Sequence, residues 1–247
     1  MPYSTKDSID FYNTDALEYD KKRWSTKGGI YINNLQKSIV VDCLRNWSGK
    51  KVLDIATGTG RFALEIAKNG AFVTVIDSSK NMLEIVERKF EKHGLKNQLK
   101  IYHGSGADLP FQNKTFDVCV CINAMNHIPQ YKNIMKEIFR VLNKDGVSVT
   151  NYTNWMSYYL PYGIWVNLKK KSIYRDVYTK WFSINEVYKL HNINNLSVNK
   201  LFGMVHTPNN FNNNVLLRTL KLVNHISQKS MLKYIAPQIF IKAYKLI

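Results

Sequence analysis

Glycine and aspartate residues stand at the ends of three short apolar runs. Gly58 and Gly60 follow the run Val52–Ile55 and precede a helical pattern. Asp77 ends a second run, 17 residues after Gly60, and Asp108 follows a third. Glycines between a strand and a helix let a ligand approach the backbone, and an acid ending the next strand can accept both hydroxyl groups of a ribose. The spacing predicts a nucleotide-type cofactor, and it fits NAD and other adenosyl cofactors alike.

Two acids help to distinguish between these cofactors. Asp54 lies inside the first apolar run, and a buried carboxylate is costly unless a cation or hydrogen-bond donors match it. Asp108 lies in the segment 104–110, after the third run, where an acid can accept a hydrogen bond from an adenine amino group. Both acids favour an adenosyl cofactor other than NAD.

Strand and helix patterns alternate along most of the chain. Apolar, β-branched runs predict strands at 51–56, 72–76, 99–103, 116–122, 146–152, 196–204 and 237–245. Helical spacing predicts helices at 61–69, 79–93, 130–142 and 212–235, after a polar, helical stretch of about 50 residues. Such alternation is typical of βαβ units, so we expect a parallel sheet covered by helices on both faces.

The segment 51–152 resembles the core of the class I S-adenosylmethionine-dependent methyltransferases, in their small-molecule group. The family's first motif is an acid followed by Gly-x-Gly-x-Gly, which here reads Asp54-Ile-Ala56-Thr-Gly58-Thr-Gly60. Ala56 thus replaces the first glycine. The acids after strands two and three and the residue opening the loop after strand four also match; they are Asp77, Asp108 and Asn123.

This resemblance implies a fold, an activity and a cofactor. The fold is a seven-stranded, mostly parallel, Rossmann-like α/β/α sandwich with an antiparallel last strand. The enzyme transfers a methyl group from S-adenosylmethionine and leaves S-adenosylhomocysteine. We expect one domain, made of an N-terminal helical lid (1–50), a cofactor-binding core (51–153), an aromatic-rich, substrate-binding insertion after strand five (154–195) and the end of the sheet (196–247). Ser183 and Glu186 predict a capping box inside the insertion.

The resemblance also assigns roles to single residues. The glycine turn approaches the amino-acid part of the cofactor, Asp54 organises its ammonium site, and Asp77 holds the ribose. Met82 packs near the adenine, whose edge the segment 107–109 surrounds. The cofactor-binding set is Tyr19, Asp54, Ala56, Gly58, Gly60, Asp77, Ser78, Met82, Ala107, Asp108, Leu109 and Asn123.

His127 is the candidate catalytic base. Methyl transfer is an in-line displacement that needs alignment and exclusion of water, and a proton acceptor helps when the nucleophile is a hydroxyl. His127 follows the fourth strand, at the carboxyl edge where such sheets bind ligands. The alternative is a histidine that only hydrogen-bonds the loop backbone. No metal site is predicted.

Aromatic side chains in the lid and the insertion are candidates for substrate binding, with packing between helices as the alternative. They are Tyr12, Trp24, Tyr31, Trp155, Tyr159 and Trp165. They favour a small acceptor that is partly aromatic or apolar, methylated at oxygen or nitrogen: a natural product, a quinone or lipid-linked intermediate, or a sugar.

Charge is distributed unevenly along the chain. The formal net charge is +17; residues 1–150 hold 22 basic and 16 acidic side chains, whereas 151–247 hold 13 and two. This asymmetry indicates an anionic substrate, a membrane surface or nucleic acid, unless it is only a solvated face. Lys169–Lys171, beside Trp165 and Tyr174, are candidates for contact with a phosphate or a membrane headgroup.

Two other classes of function remain as alternatives to a small-molecule enzyme of the cytoplasm. An RNA methyltransferase would use the basic C-terminal third, but the loop after strand four lacks the Asn/Asp-Pro-Pro-Tyr/Phe motif, which disfavours methylation of base amino groups. A non-catalytic cofactor-binding subunit is the second. No signal peptide or apolar stretch of about 18 residues is visible, and the three cysteines are irregularly spaced, so we expect a reduced, cytoplasmic protein. The oligomeric state is left open.

Overall fold

The computed structural model describes residues 5–170, 177–205 and 211–246. Among these residues the strands are β1 (Lys51–Ile55), β2 (Phe72–Asp77), β3 (Leu99–His103), β4 (Phe116–Cys121), β5 (Leu142–Thr153), β6 (Leu196–Met204) and β7 (Gln238–Lys245). The helices are α1 (Thr5–Asp15), α2 (Tyr19–Trp24), α3 (Lys27–Val41), α4 (Arg61–Lys68), α5 (Lys80–Lys92), α6 (Tyr131–Val141), α7 (Leu160–Lys169), α8 (Ile184–Asn192) and α9 (Asn214–Lys229).

The described strands form one seven-stranded sheet in the order β3-β2-β1-β4-β5-β7-β6. Strands β1 to β5 are parallel, and β7 runs antiparallel to both β5 and β6. The prediction of a mostly parallel, seven-stranded sheet with an antiparallel last strand is therefore confirmed. Because β1 pairs with β2 on one side and β4 on the other, the order reverses at β1, and a crevice opens at the carboxyl ends of the strands.

Helices cover both faces of the sheet. Alternate residues of β1 face opposite ways: Val52 packs with α3, α4 and α5, whereas Leu53 and Ile55 pack with α6. These residues are almost inaccessible to solvent. The strands read as apolar runs because both faces are buried, and the α/β/α sandwich follows.

Several predicted boundaries need correction. The helix expected over 212–235 ends at Lys229, because Ser230 is extended and its side chain caps Leu232 at the start of a 3-10 helix, Met231–Ile235. Strand β5 begins at Leu142 rather than 146 and passes through Asp145 in the left-handed region. Ser183 and Glu186 form the predicted capping box at α8. Of the described helices, none is long and apolar enough to cross a membrane.

Candidate functional site

The turn between β1 and α4 is shaped by residues with positive φ. Ala56, Gly58 and Gly60 have φ of 53°, 55° and 71°. At Gly60 a Cβ atom would come within 2.9 Å of Val86 Cγ2, so only glycine fits there without displacing α5. At Gly58 a Cβ atom would meet nothing within 4 Å. The backbone of the turn is therefore open on the side that a ligand would approach.

Asp77 joins this turn to the start of α5. One carboxylate oxygen accepts a hydrogen bond from the Gly58 N–H at 2.8 Å, and the other accepts from the Ser79 N–H at 2.9 Å. Burial raises the pKa of Asp77, and these backbone donors partly offset the rise. Each carboxylate oxygen can accept a further bond, so Asp77 can still receive hydroxyl donors from the crevice.

Asp54 supports the turn from beneath. Its carboxylate is buried and accepts a hydrogen bond from Thr57 Oγ1 at 2.6 Å. Burial raises the pKa of Asp54 from 3.8 to about 7, although the bond from Thr57 favours the charged form. Asp54 does not line the crevice, so it acts on a ligand there only through the turn or through its charge.

One cavity occupies the crevice at the carboxyl ends of β1, β2, β3 and β4. From the predicted cofactor set it is lined by Tyr19, Ala56, Gly58, Asp77, Ser78, Met82 and Asn123. Tyr12 and His127, predicted for substrate and catalysis, line it as well. Residues that the sequence analysis did not single out complete it: Ile9, Thr57, Thr59, Arg61, Phe62, Gly104, Ser105, Gly106, Ile122, Ala124, Ile128 and Pro129.

The loop after β3 meets the cavity earlier than expected. Gly104, Ser105 and Gly106 line it, and then the chain turns away, with the Asp108 N–H bonded to the Ser105 carbonyl. Ala107, Asp108 and Leu109 therefore do not line the cavity; Asp108 is exposed, and Leu109 is buried against Glu137. Gly60 also lies outside the lining. The roles predicted for these four residues stay predictions.

His127 lies on the β4 side of the cavity with both ring nitrogens engaged. Nδ1 is 3.3 Å from the Tyr178 carbonyl, and Nε2 is 3.0 Å from the Asn126 amide nitrogen. A carbonyl can only accept and an amide nitrogen can only donate, so these partners assign the proton to Nδ1 and leave the Nε2 lone pair as an acceptor. Segment 177–180 holds this loop in place, because the Lys180 N–H also donates to the Asn126 carbonyl.

A buried amide network forms the wall beside Asn123. Asn123 has φ of 59° and exchanges hydrogen bonds with the Asn151 side chain: its backbone N–H donates to Asn151 Oδ1 at 2.6 Å, and its side-chain Oδ1 accepts from Asn151 Nδ2 at 2.9 Å. Gln36 Oε1 accepts from Arg61 at 2.6 Å, and Asn123 Nδ2 lies 3.4 Å from the same oxygen. Sequence reasoning missed Gln36, Arg61 and Asn151. The sequence did carry a signal for them, because each is a polar residue at a buried position: Asn151 in the apolar strand β5, and Gln36 and Arg61 in the amphipathic helices α3 and α4.

The N-terminal helices cover the cavity and are tied to its rim. Asp20 accepts from Thr59 Oγ1 at 2.8 Å, and Lys89 Nζ donates to Asp20 at 2.5 Å and to the Thr59 carbonyl at 2.7 Å. Ser79 Oγ donates to Asn13 in α1 at 2.6 Å. Helices α1 and α2 are thereby bonded to the glycine turn and to α5.

The other predicted aromatic residues lie away from the cavity lining. Trp24 stacks on the Arg61 guanidinium at 4.4 Å, and Tyr31 lies under Lys221. Trp155 packs on Gly163, the ring centroid of Tyr159 is 4.5 Å from that of Tyr158, and Trp165 stacks on Tyr162 at 5.9 Å. Their predicted contact with substrate stays a prediction. Lys171 and Tyr174 lie outside the described residues.

Comparison with known proteins identifies the central part of the chain. A family model described as a methyltransferase domain matches residues 52–146. A demethylmenaquinone methyltransferase from Geobacillus sp. is 34% identical over 101 residues, which is 40% of this chain and 43% of that protein. A sterol 24-C-methyltransferase from Gibberella zeae is 40% identical over 100 residues, which is 40% of this chain and 26% of that protein. The match thus spans less than half the length of either relative.

Solved structures share the architecture over nearly the whole chain. An S-adenosylmethionine-dependent methyltransferase from Thermotoga maritima superposes with a TM-score of 0.65 at 16% identity, over 96% of this chain and 99% of that one. The 4+2 cyclase SpnF gives a TM-score of 0.71 at 15% identity, over 100% and 99%. Identities this low establish the fold alone, and a cyclase with this fold shows that the fold does not decide the reaction.

The matched segment and the architecture together define the class. Residues 52–146 match the model of a methyltransferase domain and lie within a Rossmann-like sandwich. The sequence resemblance to class I S-adenosylmethionine-dependent methyltransferases is confirmed for this part of the chain.

Proposed function

We propose that this chain binds S-adenosylmethionine and transfers its methyl group to a small acceptor. The observation that supports this most directly is that one cavity is lined both by Asp77, braced by the turn at Gly58, and by His127 with an acceptor nitrogen. Asp77 suits the hydroxyl groups of a cofactor ribose. Nε2 of His127 suits the proton that the methyl acceptor loses.

The residues of the turn fit such a cofactor. Asp77 keeps accepting capacity for two ribose hydroxyls, Met82 offers an apolar surface beside it, and the open side of Gly58 admits the amino-acid part. The charged form of Asp54, below the turn, favours a cationic ammonium group there, and such a cation would in turn lower the pKa of Asp54. When bound, the sulfonium supplies a methyl carbon already activated for displacement. The chain then has to hold the acceptor in line with that carbon and exclude water.

Several side chains that line the cavity together with His127 are apolar or aromatic. Ile9, Tyr12, Phe62 and Ile128 line it, and α1 and α2 shield it from solvent. We infer a largely apolar acceptor with a nucleophilic oxygen or nitrogen. The apolar character agrees with the sterol and quinone acceptors that the names of the relatives give for those proteins, whereas the name of the sterol 24-C-methyltransferase gives carbon as the methylated atom in that protein. The hydroxyl group of the methyl acceptor would take the place of the Asn126 amide at Nε2 of His127 and pass its proton to that nitrogen.

A titration of thermal stability tests the cofactor. S-adenosylhomocysteine at a hundred times its Kd should stabilise the native state by about 2.7 kcal/mol, and NADH should not. Asp77→Ala should abolish the shift, whereas Asp42→Ala, at an exposed aspartate that ends α3, should leave it intact. A shift with NADH alone, or an unchanged response of Asp77→Ala, would refute the cofactor assignment.

Turnover by the purified chain tests the reaction. Incubation with S-adenosylmethionine and a panel of apolar phenols, quinols and amines should release S-adenosylhomocysteine and a methylated product whose NMR spectrum identifies the methylated atom. Turnover without a partner would exclude a non-catalytic subunit. Methylation at carbon only would refute the oxygen or nitrogen target, and methylation of RNA but of no small acceptor would refute the substrate class.

A further inference from the structure

Helix α9 presents an apolar face to solvent. Val215, Leu222 and Ile226 are separated by seven and four residues, which places them on one side of the helix. Val215 is 72% exposed and Leu222 60%. The side of α9 that packs on the body holds Leu220, Asn224 and Ser227, all buried. An amphipathic helix normally turns its apolar stripe inward, so this outward face is unexplained by folding.

The orientation of α9 is fixed by Asn224. Its side chain accepts from the Val205 N–H at 2.9 Å and donates to the Val205 carbonyl at 2.8 Å, at the end of β6. Rotation of the helix to bury Leu222 would break both bonds and leave the partly buried N–H and carbonyl of Val205 without these partners. The apolar face is therefore a lasting surface of the folded chain.

The 3-10 helix Met231–Ile235 enlarges this apolar surface. It follows α9 and packs against it, and its exposed side chains are Met231, Leu232 and Ile235, with Met231 75% exposed. Together, α9 and residues 231–235 are called the α9 surface below. A largely aliphatic surface of this kind marks a site of contact with an apolar partner.

Basic residues flank the apolar face. Arg218, Lys221, His225 and Lys229 follow one another at helical spacing along one edge of α9. The chain contains no aspartate or glutamate in the 61 residues from 187 to 247, which hold eight lysines and arginines. Helix α3 and strand β6, which pack against α9, also lack acids. The partner must therefore be anionic as well as apolar.

We propose that the α9 surface docks on a lipid bilayer that contains anionic lipids. Val215, Leu222 and Ile226 enter the acyl boundary, while Arg218 and Lys229 contact headgroup phosphates. With 16 residues α9 is about 24 Å long, which suits a helix that lies in the plane of the interface. This proposal is independent of the reaction that the cavity catalyses.

Two other occupants fit the surface less well. A second copy of the α9 surface would place its lysines and arginines against the same cations with no acid to pair them. Single-stranded RNA is bound by aromatic platforms on which bases stack, whereas the exposed residues of this face are aliphatic or methionine. A bilayer supplies both the apolar interior and the anionic surface.

Sedimentation of the full chain with vesicles tests the proposal. Vesicles of phosphatidylcholine with phosphatidylglycerol should bind the chain, pure phosphatidylcholine should bind it far less, and added salt should weaken binding. The double variant Leu222→Ser/Ile226→Ser should lower the partition coefficient at least about tenfold. Each of Arg218→Gln and Lys229→Gln should lower it about fivefold on anionic vesicles only.

A matched control distinguishes docking by the α9 surface from non-specific hydrophobic binding to vesicles. Ile193, 63% exposed at the end of α8, lies outside the α9 surface, so Ile193→Ser should bind vesicles as the wild type does. All the replaced side chains are exposed, and melting temperatures will verify the fold. The proposal fails if anionic vesicles do not sediment the chain, or if Ile193→Ser loses as much binding as the double variant. It also fails if the double variant loses instead an RNA complex or a dimer that the wild type forms without lipid.

Discussion

Lys89 Nζ donates to Asp20 Oδ2 at 2.5 Å, which bonds α5 of the sheet body to α2 of the N-terminal segment. The same ammonium group donates to the carbonyl of Thr59, within the glycine turn. Burial lowers the pKa of Lys89, and the neighbouring Asp20 carboxylate opposes that shift. One cation therefore bonds both α2 and the glycine turn, beside the hydrogen bonds from Thr59 and Ser79.

Loss of this cation should loosen the N-terminal helices more than it destabilises the whole fold. Both side chains are partly exposed, so Lys89→Met should cost no more than about 1 kcal/mol of unfolding free energy. Limited proteolysis within residues 5–41 should become several times faster, and the Kd of S-adenosylhomocysteine should rise about five- to tenfold. Lys96→Met, which removes a lysine from exposed ion pairs with Glu87 and Glu91, is the control. Equal proteolysis of both variants would show that Lys89 does not hold the segment.

Replacement of His127 should separate binding from catalysis. If Nε2 accepts the acceptor's proton, His127→Ala should lower kcat by about a hundredfold or more and leave the Kd of S-adenosylhomocysteine within twofold. His191 is the control histidine. It is fully buried where α8 packs on β5, and burial lowers its pKa to about 4. Its replacement should reduce stability rather than kcat. A fall in kcat of less than tenfold for His127→Ala would make that residue a structural part of the loop.

Stability should depend on pH through Asp54. Burial holds the pKa of Asp54 near 7 in the folded chain, above its ordinary value of 3.8. Between these values the folded chain retains a proton that the unfolded chain has lost, so the unfolding free energy falls as pH rises, by at most about 1.4 kcal/mol per pH unit. Asp54→Asn removes this term. Its stability relative to wild type should increase from pH 5 to pH 7 and then level off. Denaturant titrations of both proteins at each pH measure it, and a constant difference would contradict the assignment.

The fold was predictable because its signals are local. Apolar runs bounded by Gly58, Asp77 and Gly94 mark strands and helices without knowledge of their neighbours, and parallel pairing follows from their alternation. Even the glycine turn and Asp77 lie within 19 residues of each other. Their convergence follows from two adjacent strands that both end at one edge of the sheet.

The missed parts of the site depend on distant contacts. Gln36 meets Asn123 across 87 residues, and Asp20 meets Lys89 across 69, separations at which no spacing rule predicts contact. The loop after β3 lines the cavity at 104–106, and not at 107–109 as predicted, for a different reason. The Ser105–Asp108 turn bends the chain earlier than the strand pattern indicates. Aromatic residues of 154–195 have packing contacts of their own, which the sequence pattern does not distinguish from contacts with a ligand. Rings such as Tyr162 and Trp165 stack on each other instead of lining the cavity.

Ala56 tests the one departure from the family motif. Its φ of 53° lies in the left-handed region, which costs a residue with a Cβ atom about 1–2 kcal/mol. Ala56→Gly removes this strain but adds freedom to the unfolded chain worth about 0.5–1 kcal/mol, so the net gain in unfolding free energy should be up to about 1.5 kcal/mol. Ala63→Gly, in the regular helix α4, should instead lose at least about 1 kcal/mol, because helix propensity falls and a buried methyl group is removed. Urea titrations of the two variants should therefore shift in opposite directions, and a loss of stability in both would mean that the Ala56 methyl group packs favourably enough to outweigh its strained backbone.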